Sequence, residues 1–205
     1  PRLRRRREFF HNIRVLDPPP VNLLEIRVLG DPILRQETKL VGDVTDELHR
    51  LVDDMFTTMY AAKGIGLAAP QVGRSERLTV VHVEEVKLAL INPEIIETEG
   101  TIKGEEGCLS IPELYGDVER AQRVVVRALD RDGKPFEVEG HDLLSRCLQH
   151  EIDHLHGKLF IDYLSVLKRK AAMRKWTKER DKYPGNVRRL TPDEIASHHH
   201  RDEEL

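Results

Sequence analysis

Three observations predict an α+β fold for this sequence. Segments with strand character outnumber helical ones. They do not alternate with helices in the regular rhythm of a doubly wound sheet. Two segments also repeat apolar residues at helical spacing, so each presents one face to a core.

The elements follow in order. Residues 1–21 open with "PRLRRRREFF" and run into "LDPPPVN" at 16–22, a basic arm with an extended proline-rich linker. No apolar signal segment follows the arginines. The arm reads as solvated, with an organellar transit arm as the alternative. "LLEIRVLGDPILRQ" reads as a strand or extended piece that breaks at Gly30-Asp31-Pro32. From Thr45 onward, Leu48, Leu51, Val52, Met55 and Met59 recur at helical spacing. Lys63-Gly64 is the expected stop, with glycine taking the left-handed cap conformation. "RLTVVHVE" and "LALINPEIIETEG" read as strands, the second interrupted at Asn92-Pro93. "RVVVRALDRDGKPFEVEG" predicts a hairpin turning at Asp132-Gly133. A second helix is predicted from about Leu143 to Leu155. A third, "VLKRKAAMRKWTKERDKY", is basic and stops at Pro184-Gly185. This divides the chain into the arm 1–21, a single domain 22–183 and a polar tail 184–205. His198–His200 in that tail read as solvated.

Composition narrows the function. Net charge is −3, with 39% hydrophobic and 34% charged residues. That balance gives no global reason for nucleic-acid or membrane binding, so sequence-specific nucleic-acid recognition is not expected. No apolar run approaches the ~20 residues of a membrane span. Two cysteines, Cys108 and Cys147, point to free or metal-bound thiols in a reducing compartment.

The chemistry centres on "QHEIDHLHG" at 149–157. His150, Glu151 and His154 form H-E-x-x-H, which on a helix brings two imidazoles to one ion with a carboxylate beside them. Leu143, Leu144, Leu148, Ile152 and Leu155 make the rest of that helix apolar, and buried polar groups need a partner such as a metal. A catalytic site needs a third ligand. The longer protease motif would supply a histidine three residues after Gly157, where this chain has Phe160. Cys147 is displaced by roughly 7 Å along the helix axis, beyond the reach of a thiol, and reads as a packing residue. Cys108, in "GEEGCLSIP", becomes the third-ligand candidate.

"GIGLAAPQ" at 64–71, "EGCLS" at 106–110 and "QHEIDHL" at 149–155 together resemble the three signature motifs of the peptide deformylases, in family order and at family-like spacing. The resemblance spans about Asn22 to Tyr163. It implies antiparallel sheets packed around a central H-E-x-x-H helix, with an additional N-terminal helix and a basic C-terminal one. It also implies removal of the formyl group from N-formylmethionine on new polypeptides, in the bacterial cytoplasm or, alternatively, an organelle. Matched position by position, Cys108, His150 and His154 are the metal ligands and Glu151 the acid–base. Gln71 and the backbone N–H of Leu109 are oxyanion donors. The implied ion is Fe²⁺, with Zn²⁺, Ni²⁺ or Co²⁺ as alternatives.

Ile65, Gly66, Gly107, Leu143, Cys147 and Tyr115 are implied substrate contacts. Gly64 and Gly66 would leave the backbone open to a peptide strand. Glu106 and Arg120 would pair to orient the Cys108 loop. Gly104 and Tyr115 depart from some relatives, which carry an apolar residue and an arginine there. The basic third helix implies possible contact with the ribosome near the nascent-chain exit. Two readings compete: a metalloendopeptidase, needing another third ligand, and an RNA-binding module using the basic helix and arm.

Overall fold

The computed structural model describes residues 22–191. The Arg-rich arm and the histidine run at 198–200 lie outside the described residues. In chain order the elements are β1 (Ile26–Arg27), α1 (Asp46–Ala61), β2 (Gly66–Ala68), β3 (Leu78–Val83), β4 (Val86–Glu99), β5 (Ile102–Cys108) and β6 (Ile111–Arg120). There follow β7 (Arg123–Leu129), β8 (Pro135–His141), α2 (Asp142–Leu155), α3 (Val166–Glu179) and β9 (Val187–Arg188). Strands β2-β3-β4-β7-β8 form an antiparallel sheet in that order, while β5-β6 and β1-β9 form separate antiparallel pairs.

The helix α1 starts where the Thr45 hydroxyl accepts from the Leu48 N–H at 3.2 Å, with Asp46 and Glu47 favouring the positive helix end. Leu48, Leu51, Val52, Met55 and Met59 are all buried, as their spacing predicts. Enclosing side chains such as Met55 and Met59 contributes about 1.5–3 kcal/mol each. The stop differs from expectation. Lys63, at φ 59°, takes the left-handed conformation, and Gly64 does not. Gly64 is confined for another reason: a Cβ there would lie 2.8 Å from Leu109 Cδ1.

Strand β3 is buried on both faces. Leu78 and Val80 pack with α1, whereas Val81 and Val83 pack with Cys147, Leu148 and Ile152 of α2. The sheet therefore lies between the two helices. At Asn92-Pro93 strand β4 is not broken but bulged, with Asn92 at φ 52° and a register shift between Ile91 and Glu94. The Asn92 amide compensates by bonding both backbone groups of Val41. The β7–β8 turn forms as expected, with Gly133 at φ 78° and the Asp130 carboxylate accepting from the Asp132 and Lys134 N–H groups.

The β5–β6 hairpin is absent from the sequence reading. Lys103, Gly104, Glu105 and Gly107 give it no apolar alternation, yet it carries Cys108 at its tip. Helix α2 packs on β2, β3, β7 and β8 and also meets β6, which places it between sheet and hairpin. Helix α3 ends at Glu179, earlier than expected, in a short 3-10 turn. The chain then returns, and β9 pairs with β1 at Ile26↔Arg188 and Arg27↔Val187. Val187 is buried, so the packed body extends past the boundary expected at Tyr183. Two-residue strands leave too short a pattern to read.

Candidate metal centre

Helix α2 sets His150 and His154 one turn apart on the face toward the hairpin, their ring centroids 5.0 Å from each other. The end of β5 brings Cys108 to the same place, with Sγ 3.2 Å from His154 Nε2. One donor atom from each of the three residues falls within 4.8 Å of the others. A thiolate and an imidazole on one tetrahedral zinc-sized ion stand about 3.5 Å apart, from bond lengths of about 2.3 and 2.0 Å. The donor set therefore fits a divalent cation. Phe160 is buried and stacks on His150 at 6.4 Å and 21°, so the position of the longer protease motif's histidine is structural here. Gly157 has φ 66°, and a Cβ on it would lie 2.7 Å from the Arg35 backbone carbonyl. That glycine serves a tight turn.

Glu106 and Arg120 are both buried and do pair, but around His150. Arg120 donates from Nε to Glu106 Oε1 at 2.8 Å and from Nη2 to Oε2 at 3.0 Å. His150 Nδ1 lies 2.9 Å from Glu106 Oε2. A proton on Nδ1 leaves the Nε2 lone pair free for an ion. Burial opposes ionisation of Glu106, but His150 and Arg120 outweigh it and lower its pKa to about 2. Burial also disfavours an imidazolium at His150, yet the Cys108 and Glu106 contacts raise its pKa well above the usual range. Burial and the neighbouring His150 push His154 well below it. Clustered donors competing for protons in this way are the arrangement that a cation stabilises.

Glu151 lines the same cleft as Cys108 and His150. Its Oε2 is buried with no hydrogen-bond partner among the described residues, and burial raises its pKa to about 7. Gly66 on β2 lies against it: a Cβ there would come within 2.7 Å of Glu151 Cγ and Cδ. Gln71 is aimed by the Ala68 N–H, which donates to its Oε1 at 2.8 Å. Its Nε2 then points at Cys108 Sγ, 3.5 Å away, and at Ser110 Oγ, 3.2 Å away. Leu109 follows Cys108 in the turn between β5 and β6, and the Ser110 carbonyl in that turn accepts from the Leu29 N–H at 2.8 Å.

These groups open onto a cleft of about 890 Å³ lined by Ile65, Gly66, Gln71, Gly107, Leu109, Tyr115, Leu143 and Cys147. Ile65, Leu143 and Tyr115 remain 44%, 49% and 64% exposed, an apolar rim that a ligand would cover. Cys147 is buried, and burial raises its pKa well above the thiol range. Tyr115 lies over Gly107, where a Cβ would meet its ring at 2.7 Å. The cleft is lined by Cys108, His150, Glu151, Gln71, Leu109 and the six residues expected to contact substrate, while His154 is buried behind it beside Cys108.

Three polar residues at this centre escape the sequence reading. Arg146 donates to Glu106 Oε1 at 2.8 Å, Asp153 accepts from Arg120 at 2.5 Å, and Ser110 holds Gln71. Arg146 precedes His150 by one helical turn on the same face, which was its only available signal.

The family model for polypeptide deformylase matches residues 23–170. The chain is 56% identical over 159 residues to a peptide deformylase of Hydrogenovibrio crunogenus, covering 76% of this chain and 94% of that one. Its structure is similar to the crystal structure of a peptide deformylase from Legionella pneumophila, with a TM-score of 0.75, 49% identity, and 78% of this chain and 96% of that one covered. A peptide deformylase from Synechococcus elongatus in complex with actinonin has a TM-score of 0.73 and 44% identity, over 79% and 90% of the two chains. Among the described residues no helix is long and apolar enough to cross a membrane. With its fold, its clustered donor atoms and these relatives in agreement, the chain belongs to the peptide deformylases, metal-dependent hydrolases that remove the formyl group from the N-terminal formylmethionine of new polypeptides.

Proposed function

We propose that Cys108, His150 and His154 hold one divalent ion and that Glu151 is the acid–base of the deformylation. One observation carries this reading: Cys108 Sγ sits 3.2 Å from His154 Nε2 while the buried Glu151 carboxylate keeps one oxygen without a partner among the described residues. Cys₁His₂ ligation suits Fe²⁺ and Zn²⁺ alike, and family resemblance favours Fe²⁺. A bound ion supplies Lewis acidity and lowers the pKa of a coordinated water toward neutrality.

The remaining work falls to the chain's own side chains. Glu151 takes a proton as water adds to the formyl carbon. It returns that proton to the nitrogen as the C–N bond breaks, giving formate and a free amine. A carboxyl whose pKa lies near 7 can both accept and release the proton under ordinary conditions. Gln71 Nε2 and the Leu109 N–H donate to the oxygen as it gains charge. Among the described residues strand β2 pairs with β3 on one side only, leaving an edge at Ile65 and Gly66 for an extended peptide. Leu143, Cys147 and Ile65 receive the methionine side chain, and Gly107 and Tyr115 flank its backbone.

Anaerobic purification with metal analysis and a formyl-Met-peptide assay tests the reading. Wild type should carry one ion per chain. Glu151→Gln should keep the ion and lose nearly all turnover. Full activity in the Gln variant would overturn the assignment.

A second reading concerns α3. It buries Trp176 and presents Lys170, Arg174 and Lys178, which have no ion-pair partner among the described residues. We infer that this face contacts the ribosome, placing the enzyme beside emerging chains in the bacterial cytoplasm. Co-sedimentation with ribosomes should weaken as salt rises. Absent or salt-insensitive binding would count against it.

A further inference from the structure

The ligand set comes from two separate elements, α2 and the β5–β6 hairpin, so the site depends on how rigidly these are joined. Arg146 crosses that gap. It stands on α2 one turn before His150, and its side-chain hydrogen bonds to the described residues all go to the hairpin. Nη1 donates to Glu106 Oε1 at 2.8 Å and to the Val118 carbonyl at 2.9 Å, and Nη2 donates to the Ile102 carbonyl at 2.9 Å. Arg120 makes the reciprocal connection, from β6 to Asp153 on α2. Glu106 lies between the two guanidinium groups and holds His150 Nδ1. A buried carboxylate bonded on both oxygens by fixed forks has no freedom to turn.

Gly104 on β5 makes room for this brace. Its φ is not in the left-handed region, so its backbone would accept an ordinary residue. A Cβ there would nonetheless lie 3.0 Å from Arg146 Nη2 and 3.2 Å from both Cζ and Nε. The guanidinium occupies the space of the missing side chain.

We propose that Arg146 is a positioning residue that fixes the metal-holding helix to the hairpin bearing Cys108, and that Gly104 is glycine because Arg146 lies against it. This rests on the metal assignment above and adds two residues to it. Neither touches the reacting atoms. Both act through Glu106 and His150.

The test uses Co²⁺ as the probe, with affinity read by chelator competition and the thiolate–cobalt absorption band reporting the site. Arg146→Met should weaken Co²⁺ about 10–100-fold, the range for loss of a group that orients a ligand. Arg146→Lys, which keeps the charge but not the fork, should recover only part of this. Gly104→Ala should shift the band and weaken binding in the same direction. The double variant should be no worse than Arg146→Met alone, because the added methyl then meets only a flexible thioether end and no longer a braced guanidinium.

Cys108→Ala separates the two levels of the argument. If it binds Co²⁺ as wild type does, the metal assignment itself fails. If it loses binding while Arg146→Met and Gly104→Ala keep wild-type affinity and spectrum, only the bracing role is overturned. Should Arg146→Met not fold, Gly104→Ala alone decides: an unchanged affinity and band refute the proposal.

Discussion

Gly66→Ala is the sharpest probe of how β2 serves Glu151. The added Cβ would lie 2.7 Å from Glu151 Cγ and Cδ, whereas carbon atoms pack comfortably at about 3.5–4.0 Å. Relief therefore requires the carboxylate or the strand to move by about 1 Å. Gly66 is paired with Val81, and β3 is buried on both faces, so the carboxylate yields more easily than the strand. A misplacement of about 1 Å at a reacting group costs about 100-fold in rate. Overpacking adds about 1–3 kcal/mol of destabilisation. The assay is steady-state kinetics on a formyl-Met peptide, alongside metal content and urea unfolding. The expected outcome is a kcat lower by about 100-fold with one ion still bound, since none of the three proposed ligands is touched. In a Glu151→Gln background the same substitution should cost little further activity. A Gly66→Ala enzyme with near wild-type kcat would refute the argument that this glycine exists to seat the carboxylate.

Glu106→Gln should weaken metal binding about 10–100-fold, because a neutral amide holds His150 Nδ1 less firmly, leaves Arg146 without its anion and leaves Arg120 with Asp153 alone; retention of wild-type affinity in chelator competition would remove Glu106 from the site. Asp162 accepts from Arg35 and from the Leu159 N–H, and although burial acts against its charge, these contacts hold its pKa below the ordinary aspartate value. Its stabilisation is present above pH ~4 and is lost as pH falls through the depressed pKa. Asp162→Asn should thus cost about 1 kcal/mol in urea unfolding at pH 6 and progressively less toward pH 2–3, and a constant difference would contradict the charge-based account. Replacing Lys170, Arg174 and Lys178 by Glu should abolish ribosome co-sedimentation at low salt while leaving turnover of a short formyl peptide unchanged.

The parts legible in the sequence are those where one physical signal dominates. Met55 and Met59 report α1 because they repeat every four residues on a single buried face. His150, Glu151 and His154 report the metal helix because polar residues in an apolar frame demand a partner. Cys108 could be selected as a ligand because Phe160 and Cys147 fail for stated reasons. The strand that delivers it was not legible, since "IKGEEGC" offers neither apolar alternation nor β-branched residues beyond Ile102. Arg146 has no local signature because an arginine on a helix ordinarily points into solvent, and its burial depends on a hairpin that the sequence does not announce. At Gly64 the local pattern misleads: the left-handed turn belongs to Lys63, and contact with Leu109, far along the chain, is what excludes a side chain. Long-range crowding of this kind has no local pattern.

The pairing of β1 with β9 has a consequence for how the chain reaches its final form. These two-residue strands lie about 160 residues apart in the chain, the kind of distant contact that carries the largest loop-closure cost. During synthesis β1 emerges first and must wait for Val187 and Arg188. The Val28 N–H bonds the Asn186 carbonyl, and the next residue, Leu29, bonds the Ser110 carbonyl in the turn after Cys108. The last described strand thus seats the element that steadies this turn. A polypeptide still held at residue 186 would have its sheet and α2 assembled with that closure missing. The same proximity of residues 26 and 188 makes a circular permutant of the described body feasible, with a linker joining the chain before Ile26 to the chain after Arg188 and new ends opened at the Asp130–Lys134 turn.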